Sequence, residues 1–372
     1  MSETRLWFVT DLRGASRSFR KVLNVALRRT RKKPDIIVIS GNLTGRDVAL
    51  ISTTSDGLNS LVFRGETQTF QSHELPSRLR DIEDLGGYAV SAATATQPTA
   101  DDVTAQLDHL RLQRLREWVS LAERTLARTR GTARFIVTPG PDDPPGSEAI
   151  LKSSSVLEYS DDTVVALDSH LTMLCMGTLS WEMGRVLPAP PARLYASGRE
   201  FRNAVRELMS SVPNPRQCIF NVHVPPYRTA LDQCIKRDAQ GLPVQGAFGL
   251  EFVNVGSPDV ADCLREHRPL VSLHGFADEP YCHERVADTL AFNPGSEAFE
   301  GIVRGVWLAF KDGSLTKEWG LTHERTKADR LGFVMEQVQK AVRVGLLKKP
   351  TEVSEVIADT VVGLRDDGTK GH

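Results

Sequence analysis

Four aspartates, two histidines, two asparagines and one arginine stand in five short segments that could carry chemistry. The segments are Thr10-Asp11-Leu12-Arg13-Gly14, Ser40-Gly41-Asn42-Leu43-Thr44-Gly45, Gly140-Pro141-Asp142-Asp143, Asn221-Val222-His223-Val224-Pro225-Pro226 and Leu273-His274-Gly275-Phe276-Ala277-Asp278-Glu279. Carboxylate and amide oxygens and imidazole nitrogens are ligands that Mg²⁺ or Mn²⁺ accepts. Asp11, Asn42, His223 and Asp278, with Asp142 beside them, form a candidate set for one such ion, which would polarise a phosphoryl oxygen. His223 and Asp142 are the candidates for moving a proton. Arg13 points to different chemistry: with the backbone N–H groups of the glycine loops it suits a phosphorylated small-molecule ligand. Asp143 and His274 complete the expected cleft.

These residues need strands to deliver them. Leu6–Val9 is a short apolar run ending at Asp11, and Ile36–Ile39 is an apolar run of buried-strand type ending at Asn42. Between them, Phe19, Val22, Leu23, Ala26 and Leu27 share one helical face over 18–31. The unit reads as βαβ, with its loops at strand C-terminal ends, where α/β proteins place ligands. Phe135–Val137 similarly feeds Gly140–Asp143, Gln217–Val222 feeds His223, and Leu270–Leu273 feeds His274. Strands are also expected over 164–167 and 171–176. Helices are expected over 106–129, over 198–209, and over 258–266 with Ser257 as its cap. Ile302–Phe310 reads as an edge strand.

In order and context the five segments resemble the D-x-H-G, G-D, G-N-H/D-D, H-x-P-P and G-H-x-H signatures of the calcineurin-like metallophosphoesterases. The resemblance extends from Arg5 to about Phe310 and includes Phe220–Tyr227, Val255-Gly256-Ser257 and Asn293–Glu297. It implies an α/β fold, the four-layer α/β/β/α sandwich, with two mixed sheets packed between helices. It also implies a site where two cations about 3.5–4 Å apart clamp the attacking and leaving oxygens of a phosphate ester. Carried over by position, the ligand set is broken. Asp11 and His223 match ligands. Arg13 stands at the D-x-H histidine, Asn42 at the bridging aspartate, Pro141 at the asparagine, and Phe276 and Asp278 at the two histidines of G-H-x-H. A neutral amide cannot bridge two cations with charge compensation, and Arg13 is itself a permanent cation. Without metals the aspartates would repel one another, and Arg13 pairing with Asp11 or Asp278 would restore balance.

Plainer readings stand beside each of these. His223 is read as a histidine held by its strand and the Pro225-Pro226 turn rather than as a surviving ligand, and His274 as structural. Asp11 remains open between metal ligand and structural carboxylate. Turn chemistry alone accounts for Asp142-Asp143-Pro144-Pro145. If the ligand placement were shifted, His170, His267 or His283 would have to reach the cleft.

The rest of the chain sets bounds. The 372 residues are 40% hydrophobic and 25% charged with a net charge of −1, which gives no electrostatic reason to expect nucleic acid or a membrane surface. The basic run from Arg28 to Lys33 reads as a solvated helix end. Five scattered cysteines without C-x-x-C spacing argue against a disulfide framework. With no signal-like or spanning apolar stretch, they lead to the expectation of a soluble cytoplasmic protein. Residues 46–105 read as a polar insertion or lid inside a domain spanning 1–320. Asp47–Phe63 suggests a hairpin, and 91–104 a mobile loop. Residues 321–372 read as a C-terminal helical appendage, with apolar stripes at Leu331–Val342 and Val353–Thr360 suited to domain packing, a protein partner or a homo-oligomer. Two functions follow. One is a non-catalytic binding or structural subunit with no metal or other cofactor; the other is a phosphoesterase remodelled around one Mg²⁺ or Mn²⁺.

Overall fold

The computed structural model describes residues 3–28, 33–54, 56–91, 100–127, 133–178, 194–238, 242–246 and 249–324. It opens with the βαβ unit β1 (Glu3–Thr10), α1 (Ser16–Ala26) and β2 (Ile36–Gly41). The next segment folds as β3 (Val48–Thr53), β4 (Asn59–Phe63), β5 (Glu66–Phe70), α2 (Leu75–Asp84) and β6 (Tyr88–Ser91). Then come α3 (Ala100–Leu126), β7 (Arg134–Pro139), α4 (Ser147–Lys152), β8 (Leu157–Tyr159), β9 (Thr163–Ala166) and β10 (Thr172–Met176). After α5 (Gly198–Ser210) and β11 (Cys218–Val222) there are four short strands: β12 (Gln233–Ile235), β13 (Gln245–Gly246), β14 (Gly249–Leu250) and β15 (Phe252–Asn254). The described part ends with α6 (Pro258–His267), β16 (Val271–Leu273), β17 (Cys282–Val286), β18 (Thr289–Asn293), β19 (Val303–Lys311) and β20 (Ser314–Glu324).

Two six-stranded mixed sheets dominate, in the orders β20-β19-β1-β2-β7-β8 and β17-β18-β16-β11-β10-β9. Strand alternation explains how both faces of each are buried. Leu6, Phe8, Ile36 and Val38 of the first sheet share a core with Met173, Cys175, Ile219 and Phe292 of the second. The alternate residues Trp7, Val9, Ile37 and Ile39 pack on Phe19 of α1 and on Leu115 and Trp118 of α3. The Phe19 and Trp118 rings stack with centroids 4.4 Å apart. On the second sheet, Leu174, Phe220 and Val222 meet Phe201 and Val205 of α5 and Val260 and Leu264 of α6. Each such apolar side chain contributes about 1.5–3 kcal/mol on burial.

The parallel strands β1, β2 and β7 run together, as do β10, β11, β16 and β18. Their C-terminal ends present all five segments. Ser257 caps α6 as expected, accepting the Val260 N–H.

Two expectations, the start of the helix after residue 100 and the edge position of the strand near 302–310, are corrected. Within the expected polar insertion, residues 46–91 form a four-stranded sheet, β5-β4-β3-β6, around Ala49, Leu61, Phe70 and Ile82. The expected hairpin is its β3–β4 pair. Helix α3 starts at Ala100, six residues before the expected start, so 100–104 is helix rather than loop; residues 92–99 lie outside the described residues. Finally, β19 is not an edge strand, because β20 pairs beyond it. The turn between them, Asp312-Gly313, has both φ angles positive (50° and 76°), the geometry of a tight two-residue hairpin.

By contacts the chain divides into Met1–Thr322 and His323–His372. A boundary at 320 falls inside β20. The apolar stripes at 331–342 and 353–360 lie outside the described residues. Among the described residues no helix is long and apolar enough to cross a membrane, and all five cysteines are free.

Candidate ligand cleft at the strand termini

The loops after β1 and β2 are laced together by backbone bonds: Asp11 N–H to Ser40 O (3.2 Å), Arg13 N–H to Asn42 O (3.0 Å) and Gly14 N–H to Leu43 O (2.6 Å). Along this path Asp11 and Arg13 take positive φ (52° and 47°), as does Phe276 in the loop after β16 (67°), a region costing about 1–2 kcal/mol for a side-chain-bearing residue. Gly41, at φ 81°, lies against His223; a Cβ there would overlap the imidazole ring. Gly275 lies as closely on Thr10 and Asp11.

Asp11 is buried (1% exposed) and saturated with donors. Its Oδ2 accepts from Thr10 Oγ1 (2.7 Å) and the Phe276 N–H (3.0 Å), and its Oδ1 accepts from Asn42 Nδ2 (3.0 Å). Arg13 reaches in from the same loop. Its guanidinium donates to Asp278 Oδ1 at 2.9 Å and lies 3.6 Å from Asp11 Oδ1. Asn42 spends both ends of its amide, since its Oδ1 accepts the Asp142 N–H at 3.0 Å. The Asp142 carboxylate turns outward to Arg46 (2.9 Å). Asp143 is a clamp: it accepts from the N–H groups of Leu43, Thr44 and Gly140 and from Thr44 Oγ1, tying the third loop to the second.

The two histidines differ. His274 Nδ1 faces the Val222 and Val224 carbonyls (2.7 and 3.0 Å), which can only accept, so Nδ1 carries the proton and Nε2 accepts from Ser272 Oγ (2.7 Å). Burial pushes its pKa down to about 4. His223 is equally buried, yet neither ring nitrogen has a hydrogen-bond partner. Its Nε2 lies 3.6 Å from Asp11 Oδ1, too far for a bond, and its ring meets Phe276 edge-on at 5.9 Å.

Electrostatically, Arg13 is the fixed cation. Burial opposes its charge, but Asp278, Asp11 and Asp142 hold its pKa well above the usual value. Burial likewise opposes ionisation of Asp11, but His223, Arg13, Thr10 and the Phe276 N–H together hold its carboxyl below the usual range. Burial, reinforced by Arg13, lowers the pKa of His223, so the charge that persists beside Asp11 at neutral pH is Arg13. Burial, with the Asp11 charge, pushes Asp278 up to about 6 despite its bond to Arg13. For Asp143 burial outweighs the bonds to its carboxylate and raises its pKa.

Asp11, Arg13, Asn42, His223, Phe276 and Asp278 therefore meet in one cleft, with Asp142 at its rim and Asp143 and His274 in its supports. His170, His267 and His283 are engaged elsewhere: His170 in a turn on Asp168, His267 beside Phe220, and His283 against Trp319. Sequence reasoning gave no site role to four supporting residues, although Asn293 and Ser296 lie in one of the segments that carry the resemblance. Arg111 and Arg114 of α3, both nearly buried, donate to Thr44 Oγ1 and the Asp142 carbonyl, and to the Gly14 and Gly87 carbonyls respectively. Asn293 Nδ2 holds the carbonyls of Leu231, Gly275 and Ala277, and Ser296 Oγ holds that of Asp11. The i, i+3 arginines were the available signal; they lie beside the apolar stripe of a helix that was read for its stripe alone.

A two-cation centre does not fit this donor set. Asp11 and Asp278 share a guanidinium, Asn42 is bonded at both ends, and the Asp142 carboxylate is paired outside. Among the described residues no group of three or more His, Cys, Asp or Glu side chains is placed to hold a metal ion.

No family model matches the chain, and no curated protein does. Solved structures do. One crystal structure superposes with a TM-score of 0.52 at 14% identity, over 87% of this chain and 99% of its own. The likeness is one of fold. The protein TT1561 of Thermus thermophilus gives 0.46 at 14% identity, over 82% of this chain and 94% of its own. A 5′-nucleotidase precursor from the same organism gives 0.41 at 9% identity, over 98% of this chain and 59% of its own. The last two scores are too low to argue from.

Proposed function

We propose that this chain is a metallophosphoesterase-like protein of the four-layer α/β/β/α type that works as a binding or structural subunit, with an internal cation in place of the metals. The observation that carries this reading is the Arg13 guanidinium, bonded to Asp278 at 2.9 Å and 3.6 Å from the buried Asp11. A side chain that supplies the balancing charge leaves the carboxylates little affinity for a cation and no bridging hydroxide to attack phosphorus. The cleft then serves a phosphorylated small molecule, recognised by Arg13, which remains 28% exposed. The apolar stripes at 331–342 and 353–360 would contact a protein partner or a second copy, and the scattered cysteines favour a reducing, cytoplasmic setting.

A second reading, a phosphoesterase using one Mg²⁺ or Mn²⁺ on Asp11, Asn42, His223 and Asp278, is favoured by one observation: the buried ring nitrogens of His223 have no partner. Hydrolysis of p-nitrophenyl phosphate and its bis ester, with Mn²⁺ or Mg²⁺ added, separates the two. The subunit reading expects no turnover above the metal-only blank. Turnover abolished by Asp11→Ala would replace it with the single-metal enzyme.

A further inference from the structure

A second concentration of positive charge lies away from Arg13. An open pocket of about 370 Å³ sits between the segment after β11, the start of α6 and the β17–β18 hairpin, with Tyr227, Arg228, Pro258, Arg265, Glu284 and Arg285 in its lining. That volume is in the range of small-molecule sites.

Its charges do not balance. The carboxylates are already engaged: Asp262 pairs with Arg265 at 3.0 Å, and Glu284 accepts the Ala230 N–H at 2.6 Å. Arg228 and Arg285 have no carboxylate partner among the described residues. The Arg228 guanidinium lies 5.5 Å from the centroid of the neighbouring Tyr227 ring, and Arg285 donates to the Asp288 carbonyl at 3.2 Å. Two guanidinium groups without a salt-bridge partner, from segments far apart in sequence, thus face one concavity whose lining carries three arginines against two carboxylates. Helix α6 begins at the pocket with Pro258, which adds the positive end of its dipole. Guanidinium groups match oxyanions in geometry as well as charge, because their donors form a planar fork.

We propose that this pocket binds the phosphate or pyrophosphate group of a phosphorylated small molecule, independently of the cleft at Asp11. Both unpaired arginines are exposed, so their removal leaves the fold intact. The test is calorimetric titration of inorganic pyrophosphate into the full chain at about 0.15 M salt, where diffuse charge attraction is largely screened. Saturable binding is expected, weakened at least about tenfold in the Arg228→Ala/Arg285→Ala double variant through loss of charge-assisted hydrogen bonds. A charge-matched control, Arg20→Ala/Arg206→Ala, should stay within about twofold of the parent because its charges lie elsewhere. The proposal is overturned by the absence of saturable binding, by unchanged affinity in the pocket variant, or by equal weakening in both variants.

Discussion

Replacing Arg13 by alanine asks directly whether its charge holds the cleft together. The substitution removes a 2.9 Å bond to Asp278 and the guanidinium 3.6 Å from Asp11. Asp11, 1% exposed, keeps its donors from Thr10, Phe276 and Asn42 but loses the neighbouring charge that persists at neutral pH. Breaking a fully buried pair costs about 3–5 kcal/mol. Here Arg13 and Asp278 are 28% and 32% exposed, so water recovers part of that, and a loss of about 2–3 kcal/mol is expected. For a unit of this size the melting temperature should fall by roughly 3–5 °C. Adding Asp278→Asn removes the orphaned charge and should restore about 1 kcal/mol, a coupling that a double-mutant cycle reads from urea midpoints. Stability of Arg13→Ala within about 0.5 kcal/mol of the parent would refute the internal-cation argument.

Other consequences are as concrete. Gly41→Ala puts a methyl group into the His223 ring at φ 81°. It should cost about 3 kcal/mol or more, or abolish soluble expression; a parent-like urea midpoint would contradict the packing. Acid stability should show two opposed slopes. The His274 pKa of about 4, below the ordinary 6.5, means the unfolded chain takes up its proton first, so roughly 3 kcal/mol is lost as pH falls from 6.5 to 4. Asp278, raised from 3.8 to about 6, keeps its proton longer in the folded state, so its contribution falls as pH rises across 4–6. Asp278→Asn should therefore steepen the acid loss and His274→Gln should flatten it, as measured by urea unfolding at stepped pH.

Much of the fold was legible because its strands are apolar on both faces. Ile36–Ile39 and Phe135–Val137 could be little else, and each ends at a cleft residue. The small sheet of 46–91 was not, because its strands are half exposed and rich in Ser and Thr; β5 reads Glu-Thr-Gln-Thr-Phe with only Phe70 buried. Strand β20 was missed although Asp312-Gly313 is a strong hairpin signal, since its residues are half buried or exposed, with none buried, and show no clean alternation. Within the cleft, Asp11, Arg13, Asn42, His223 and Asp278 lie together at the strand ends, and of the two partners the sequence offered for Arg13, Asp11 and Asp278, the hydrogen bond goes to Asp278. The sequence did not reveal that Asp143 spends its carboxylate on four donors, or that Arg111 and Arg114 brace the loops from 67 and 100 residues away in the chain. Those roles depend on side-chain reach across the folded interior, which periodicity does not encode.

The central claim, that Arg13 stands where cations would otherwise sit, is tested most directly by metal content. Mass spectrometry on protein grown and purified with added Mn²⁺ and no chelator should find far less than one equivalent of any divalent metal. One or two equivalents, lost on Asp11→Ala or His223→Ala, would contradict it.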